Sequence, residues 1–148
     1  MQSDIRSFKD LDAWKVSIEL ALISYELAKR PPLTERFELS AQIRRAAVSV
    51  PSNVAEGQAA GKSLRFLYHV RIALGSLGEL ETHFEIARRL GMLSSEDLAE
   101  LTEHIARSGQ LLHGLARSLR FRIGTQVARC LAVLGLFPIG YMLLTKLA

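Results

Sequence analysis

Four histidines, His69, His83, His104 and His113, are the residues of this 148-residue chain best suited to acid–base or metal chemistry. None lies three or four positions from another, so no helical face carries a pair of imidazole ligands. The Glu-x-x-His pattern of a di-iron bundle does not occur. Gly75-Ser76-Leu77-Gly78 fails the Gly-x-Ser-x-Gly elbow and falls within a helical run. There is no glycine-rich phosphate loop. The single thiol, Cys130, excludes an internal disulfide and a Cys/His zinc site. The expectation is a protein without catalytic activity, metal or cofactor.

Two other groups of side chains carry chemical interest. Gln42, Arg45, Ser49, Ser52 and Glu56 recur at steps of three and four, with Asn53 on their margin. They form one polar stripe if the segment is helical. A solvated helix face normally carries long Lys and Glu pairs. Short hydroxyls between an Arg and a Glu suit a partly buried network equally well. The second group is basic. Residues 35–71 carry a local excess of three positive charges, and Arg36, Arg44, Arg45, Lys62 and Arg65 are the candidate phosphate contacts. Phe37, Phe66 and Tyr68 are the aromatics among them. A solvated basic face produces the same pattern.

Helices must position these groups. The chain is 49% hydrophobic and 23% charged, too apolar for disorder and long enough for one buried core. The first apolar seam is Leu11, Trp14, Ile18, Ala21, Tyr25 and Ala28, with Asp10 placed as its N-cap and Pro31-Pro32 as its stop. The second runs from a Thr34 cap through Leu39, Ile43, Ala46, Val50 and Val54 to Gly61. Pro51 should kink it, leaving the Ala47 carbonyl for a nearby hydroxyl. The third seam is Phe66, Val70, Ala73, Leu77, Leu80, Phe84 and Ala87, closed by Gly91. The fourth opens at Ser94-Ser95-Glu96-Asp97 and continues through Leu98, Leu101, Ile105, Ser108, Leu112, Leu115 and Leu119. Short connections predict an all-α, up-down-up-down antiparallel four-helix bundle over residues 1–120. Residues 121–148 form a separate hydrophobic tail, predicted to be helical. Its segment from Cys130 to Leu144 has no charge, and residues 127–145 are the candidate membrane contact.

Net charge is +4, and three of those charges fall after Arg120, which leaves the bundle at +1. Such a bundle does not coat nucleic acid as a simple polycation. The opening MQSDIRSFKD has no apolar core of a signal peptide, so the expected compartment is the cytoplasm, with membrane association through the tail as the alternative.

The run from Gln42 to Gly57, QIRRAAVSVPSNVAEG, resembles the hallmark of four-helix bundle proteins encoded in intervening sequences of bacterial large-subunit ribosomal RNA genes. Phe8-Lys9-Asp10-Leu11 with Trp14, Glu35-Arg36-Phe37-Glu38-Leu39 and the stretch Ala73–Glu81 resemble further parts of that family's pattern. Lys62 stands where the family often has Arg, and Arg65 where an acid is common. The resemblance implies a ring-like homopentamer without enzymatic activity, related to the accessory protein of diversity-generating retroelements, which contacts a reverse transcriptase and nucleic acid. The expected function is therefore a homo-oligomeric module associated with RNA or DNA. A membrane-tethered or soluble protein-binding scaffold is the alternative. The apolar Leu67, Ile72, Leu74 and Ile86, which lie off the third seam, mark the expected self-association surface.

Overall fold

The structure is a computed structural model and describes residues 7–133. Among these residues there are four α-helices and no strand. Helix α1 spans Asp12–Lys29, α2 Phe37–Ala59, α3 Ser63–Arg89 and α4 Ser95–Val133. Single 3₁₀ turns at Phe8–Asp10 and Leu33–Glu35 lead into α1 and α2. Each helix packs chiefly on two neighbours, α1 on α2 and α4, and α3 on α2 and α4. The core lies along the axis they enclose. Leu20, Ile43, Val50, Val54, Val70, Leu80, Leu101 and Leu112 are almost completely shielded there.

The seams of α2, α3 and α4 lie inward as their spacing predicts, but that of α1 is rotated. Its buried face is Ala13, Ser17, Leu20, Ser24 and Leu27, with Ala21 and Ala28 beside it. Trp14, Ile18 and Tyr25 are only half-buried. The serines tolerate the core because each hydroxyl donates to the carbonyl four residues back, Ser17 to Ala13 at 2.6 Å and Ser24 to Leu20 at 2.7 Å. Small side chains on the inner face let α1 approach closely, and its large rings pack to the side.

The helix ends also differ in part from the expected caps. Asp10 belongs to the first 3₁₀ turn, where it and Ser7 cap each other reciprocally, and Leu11 takes the N-cap position of α1. Thr34 lies inside the second 3₁₀ turn, so Arg36 precedes α2 without a side-chain cap. The other two signals hold. Ser94 Oγ accepts from Asp97 N–H, and Asp97 Oδ2 accepts from Ser94 N–H, both at 3.1 Å. Gly91 takes φ +70° and closes α3 by bonds from Met92 N–H to Ala87 O and from Gly91 N–H to Arg88 O. Arg30, just past α1, reaches Asp97 at the start of α4 across 3.1 Å.

Helix α2 continues through Pro51, whose ring is buried. Among the described residues no side chain reaches the Ala47 carbonyl. The nearby amide of Asn53 instead donates to Ser49 O at 2.9 Å. Helix α4 has 39 residues, about 58 Å, and crosses position 120 without interruption. The expected boundary between bundle and tail is therefore not a helix end. Residues 134–148, the greater part of the apolar tail, lie outside the described residues. No helix among the described residues is long and apolar enough to cross a membrane.

Candidate nucleic-acid interface

The polar stripe of α2 divides among three environments. Ser49 and Asn53 turn toward α3. Ser49 Oγ lies 2.8 Å from Ser76 Oγ, and Asn53 Nδ2 donates to Ser49 Oγ at 3.2 Å. Asn53 Oδ1 faces His69 Nδ1 at 3.3 Å, and the same ring nitrogen lies 3.6 Å from Glu56 Oε2. Since the Asn53 amide nitrogen is given to Ser49, its oxygen accepts and His69 Nδ1 carries the proton. Ser52 lies on the opposite flank, toward α1. Gln42, Arg45 and Glu56 are exposed. An Arg45–Glu56 pair does not form, because three helical turns separate the two and Glu56 meets His69.

Gly57 permits this network. A Cβ there would lie 2.6 Å from Phe66 Cδ2 and 2.8 Å from His69 Cβ. The pairings of residue 49 with 76, 53 with 69 and 57 with 66 advance in opposite senses along the two chains, so α2 and α3 run antiparallel.

The basic candidates are not one cluster. Arg36 stands before α2, whereas Lys62 and Arg65 follow it, and the helix between them spans 23 residues, about 34 Å. Arg44 is half-buried and donates to Ser40 Oγ at 2.7 Å. Arg36, Arg45, Lys62 and Arg65 are exposed. None of the five makes an ion pair among the described residues.

Several cations elsewhere on the bundle are paired with carboxylates. Lys15 pairs with Asp12, Lys29 with Glu26, and Arg30 with Asp97. Glu85 takes both Arg88, at 2.6 Å, and Arg89, at 2.8 Å. The hydrogen bond from Arg88, reinforced by that from Arg89, lowers the Glu85 carboxyl to about 2. Lys9 apart, the cations without a carboxylate partner among the described residues lie on or beside α2, on the first half of α3 and on α4 from Arg107 onward. The sequence reading missed the last of these. No acid follows Glu103 in the chain, and Arg107, Arg117, Arg120 and Arg122 all come after it. Only counting charge along each helix, rather than in the tail alone, would have shown it.

The apolar surface is also not where the sequence placed it. Leu67 is buried and Leu74 packs on the core, so of those four only Ile72 and Ile86 lie on the outside of α3. The extended apolar concavity lies instead between α1 and α2, about 430 Å³, lined by Trp14, Ile18, Leu22, Tyr25, Val48 and Ala55 among others. Leu22 is 57% exposed.

The histidines are dispersed. His69 serves the α2–α3 network, His83 Nε2 faces Glu79 at 3.5 Å, and His104 Nδ1 meets the Glu100 carbonyl at 2.9 Å. His113 is exposed on α4. Among the described residues no three metal-ligating side chains converge.

Four packed helices, with unpaired cations on one part of the surface and an apolar concavity on another, define a small all-α protein. The chain belongs to the 23S rRNA-intervening sequence protein family, whose model matches residues 9–114. No curated protein matches it.

Proposed function

We propose that this protein is a non-enzymatic, homo-oligomeric bundle, its helices alternating in direction, that associates with RNA or DNA in the cytoplasm. The observation that carries the nucleic-acid reading is the segregation of cations. Those on α1 and at the end of α3 are matched by carboxylates, whereas Arg36, Arg45, Lys62 and Arg65 are exposed and unmatched. Unmatched cations repel one another and gain most from a polyanion that releases its counterions on binding. Membership of a family named for ribosomal RNA sequences supports the same reading. Contacts of this kind reach phosphates rather than base edges, so binding is tolerant of sequence.

Self-association supplies the avidity that a few cations per chain lack. The α1/α2 concavity is the surface for a second copy, since its exposed Leu22 and Val48 flank half-buried Trp14 and Tyr25. A closed ring, pentameric as the family resemblance implies, would bury that surface on every subunit. The test is retention of labelled RNA and DNA by the full chain at rising salt. Affinity should fall with a log–log slope of about −0.9 per phosphate neutralised on duplex and about −0.7 on single strands. No retention at low salt, or retention indifferent to salt, would refute the proposal.

A further inference from the structure

The face shared by α3 and α4 carries a concavity of its own. From Lys62 to Gly78 the chain holds Lys62, Arg65 and Arg71 and no acid, and the length after Glu103 is likewise free of acids. The fold lays these two stretches together. A Cβ on Gly109 would lie 3.6 Å from Leu77 Cδ2. Stepping back along α3 and forward along α4 brings Arg71 to the same groove as Ala116 and Arg117. This groove encloses about 820 Å³ and is lined by Arg71, Arg117 and Arg120, with Gln110 and His113. The methyl groups of Ala106 and Ala116 and the bare backbone of Gly109 leave the room. All three arginines are exposed, and none makes an ion pair among the described residues.

Three guanidinium groups around one concavity without a carboxylate form a site for a polyanion. Two aromatic rings specify the kind. Tyr68 is 62% exposed and Phe121 74%. Tyr68 precedes Arg71 by three residues and Phe121 follows Arg117 by four, so each ring neighbours a groove arginine on its own helix. Exposed rings beside a cationic track are the recurring device for holding unpaired bases. The family match ends at residue 114, before Arg117, Arg120 and Phe121.

We propose that the α3/α4 groove is the path of a single nucleic-acid strand, with Arg71, Arg117 and Arg120 on its phosphates and Tyr68 and Phe121 stacking on its bases. This deepens, and rests on, the nucleic-acid reading above. It adds to the cations of α2 and the following turn a groove on the α4 side of α3.

The test uses the full chain and three probes: a mixed-sequence single-stranded RNA, the corresponding duplex, and inorganic polyphosphate. R71Q/R117Q/R120Q should weaken the single strand by roughly tenfold or more and flatten its log–log salt slope by about 2, as three lost phosphate contacts require. R71K/R117K/R120K should keep most of that slope, which separates charge from folding. Y68A/F121A should weaken the single strand by roughly tenfold and leave polyphosphate unchanged. K15Q/K29Q, on α1 where both cations are already matched by carboxylates, should change little. If the wild type binds the strand and R71Q/R117Q/R120Q binds it equally well, the groove is wrong although the nucleic-acid reading stands. If the wild type binds no strand at low salt, both fall. Equal losses on polyphosphate and RNA in Y68A/F121A would overturn the stacking role.

Discussion

Gly57→Ala adds one methyl group where α2 and α3 approach too closely for a side chain. The new Cβ would stand 2.6 Å from Phe66 Cδ2, 2.8 Å from His69 Cβ and 3.3 Å from Phe66 Cα. The phenyl edge can swing aside, but His69 Cβ and Phe66 Cα are fixed to the α3 backbone. Relief therefore requires the helices to separate by several tenths of an ångström. Overpacking of this kind costs about 1–3 kcal/mol. Alanine returns about 1 kcal/mol because it is the better helix former. The net expectation is a loss of about 0–2 kcal/mol, a fall in melting temperature of up to roughly 8 °C at this chain length. The same shift stretches the His69–Asn53 contact, already 3.3 Å. Gly75 and Gly78, on the exposed side of α3, are the internal controls, since a Cβ at either meets nothing within 4 Å. Gly75→Ala and Gly78→Ala should each stabilise by about 0.5–1 kcal/mol. Thermal or urea melts at one fixed protein concentration read all three, because self-association would otherwise add to the apparent stability. A Gly57→Ala protein as stable as its Gly75→Ala counterpart would refute the close-approach argument.

Ser76→Ala should cost about 0.5–1.5 kcal/mol by leaving Ser49 Oγ with only its longer contact to Asn53, and Ser49→Ala in the same chain should recover part of that loss; additive losses would mean that the two hydroxyls do not interact. Glu85 should titrate with a midpoint near 2 by carboxyl NMR, so whatever its two arginines contribute is complete above about pH 4.5 and is lost as the pH falls toward 2. A midpoint near 4.5 in the wild type would show that the bridge does not persist in solution. Leu22→Glu should shift the sedimenting species to lower mass without lowering helix content, whereas an unchanged oligomer would remove α1/α2 as the self-association surface.

What the sequence disclosed follows from how each residue signals its place. The α3 seam from Val70 to Ala87 was legible because large apolar residues fall at clean steps of three and four. Gly91 and the Ser94–Asp97 box were legible because helix ends demand particular side chains. Helix α1 was misread because polarity was taken for exposure. Ser17 and Ser24 satisfy their hydroxyls on the backbone of their own helix, so the core accepts them, and the larger Trp14 and Tyr25 remain at the rim. Neighbours in sequence were likewise taken for neighbours in space. Arg36 and Lys62 are joined by a helix that keeps them about 34 Å apart. Arg71 and Arg117, far apart in the chain, share one groove. No periodicity within a single helix reports a meeting between two.

The length of α4 has a consequence for symmetry. The Leu77–Gly109 contact sets Ser63, where α3 begins, about level with residue 123, so the last ten or so residues of α4 run on for about 15 Å. If the proposed ring is generated by rotation alone and α4 runs along its axis, every subunit would send this rod out through the same side. The two sides of such a ring would then be unlike, one studded with helical posts and the other not. Whatever follows Val133 in the chain would then leave from a single side, and such an assembly would be directional, like a brush rather than a disc.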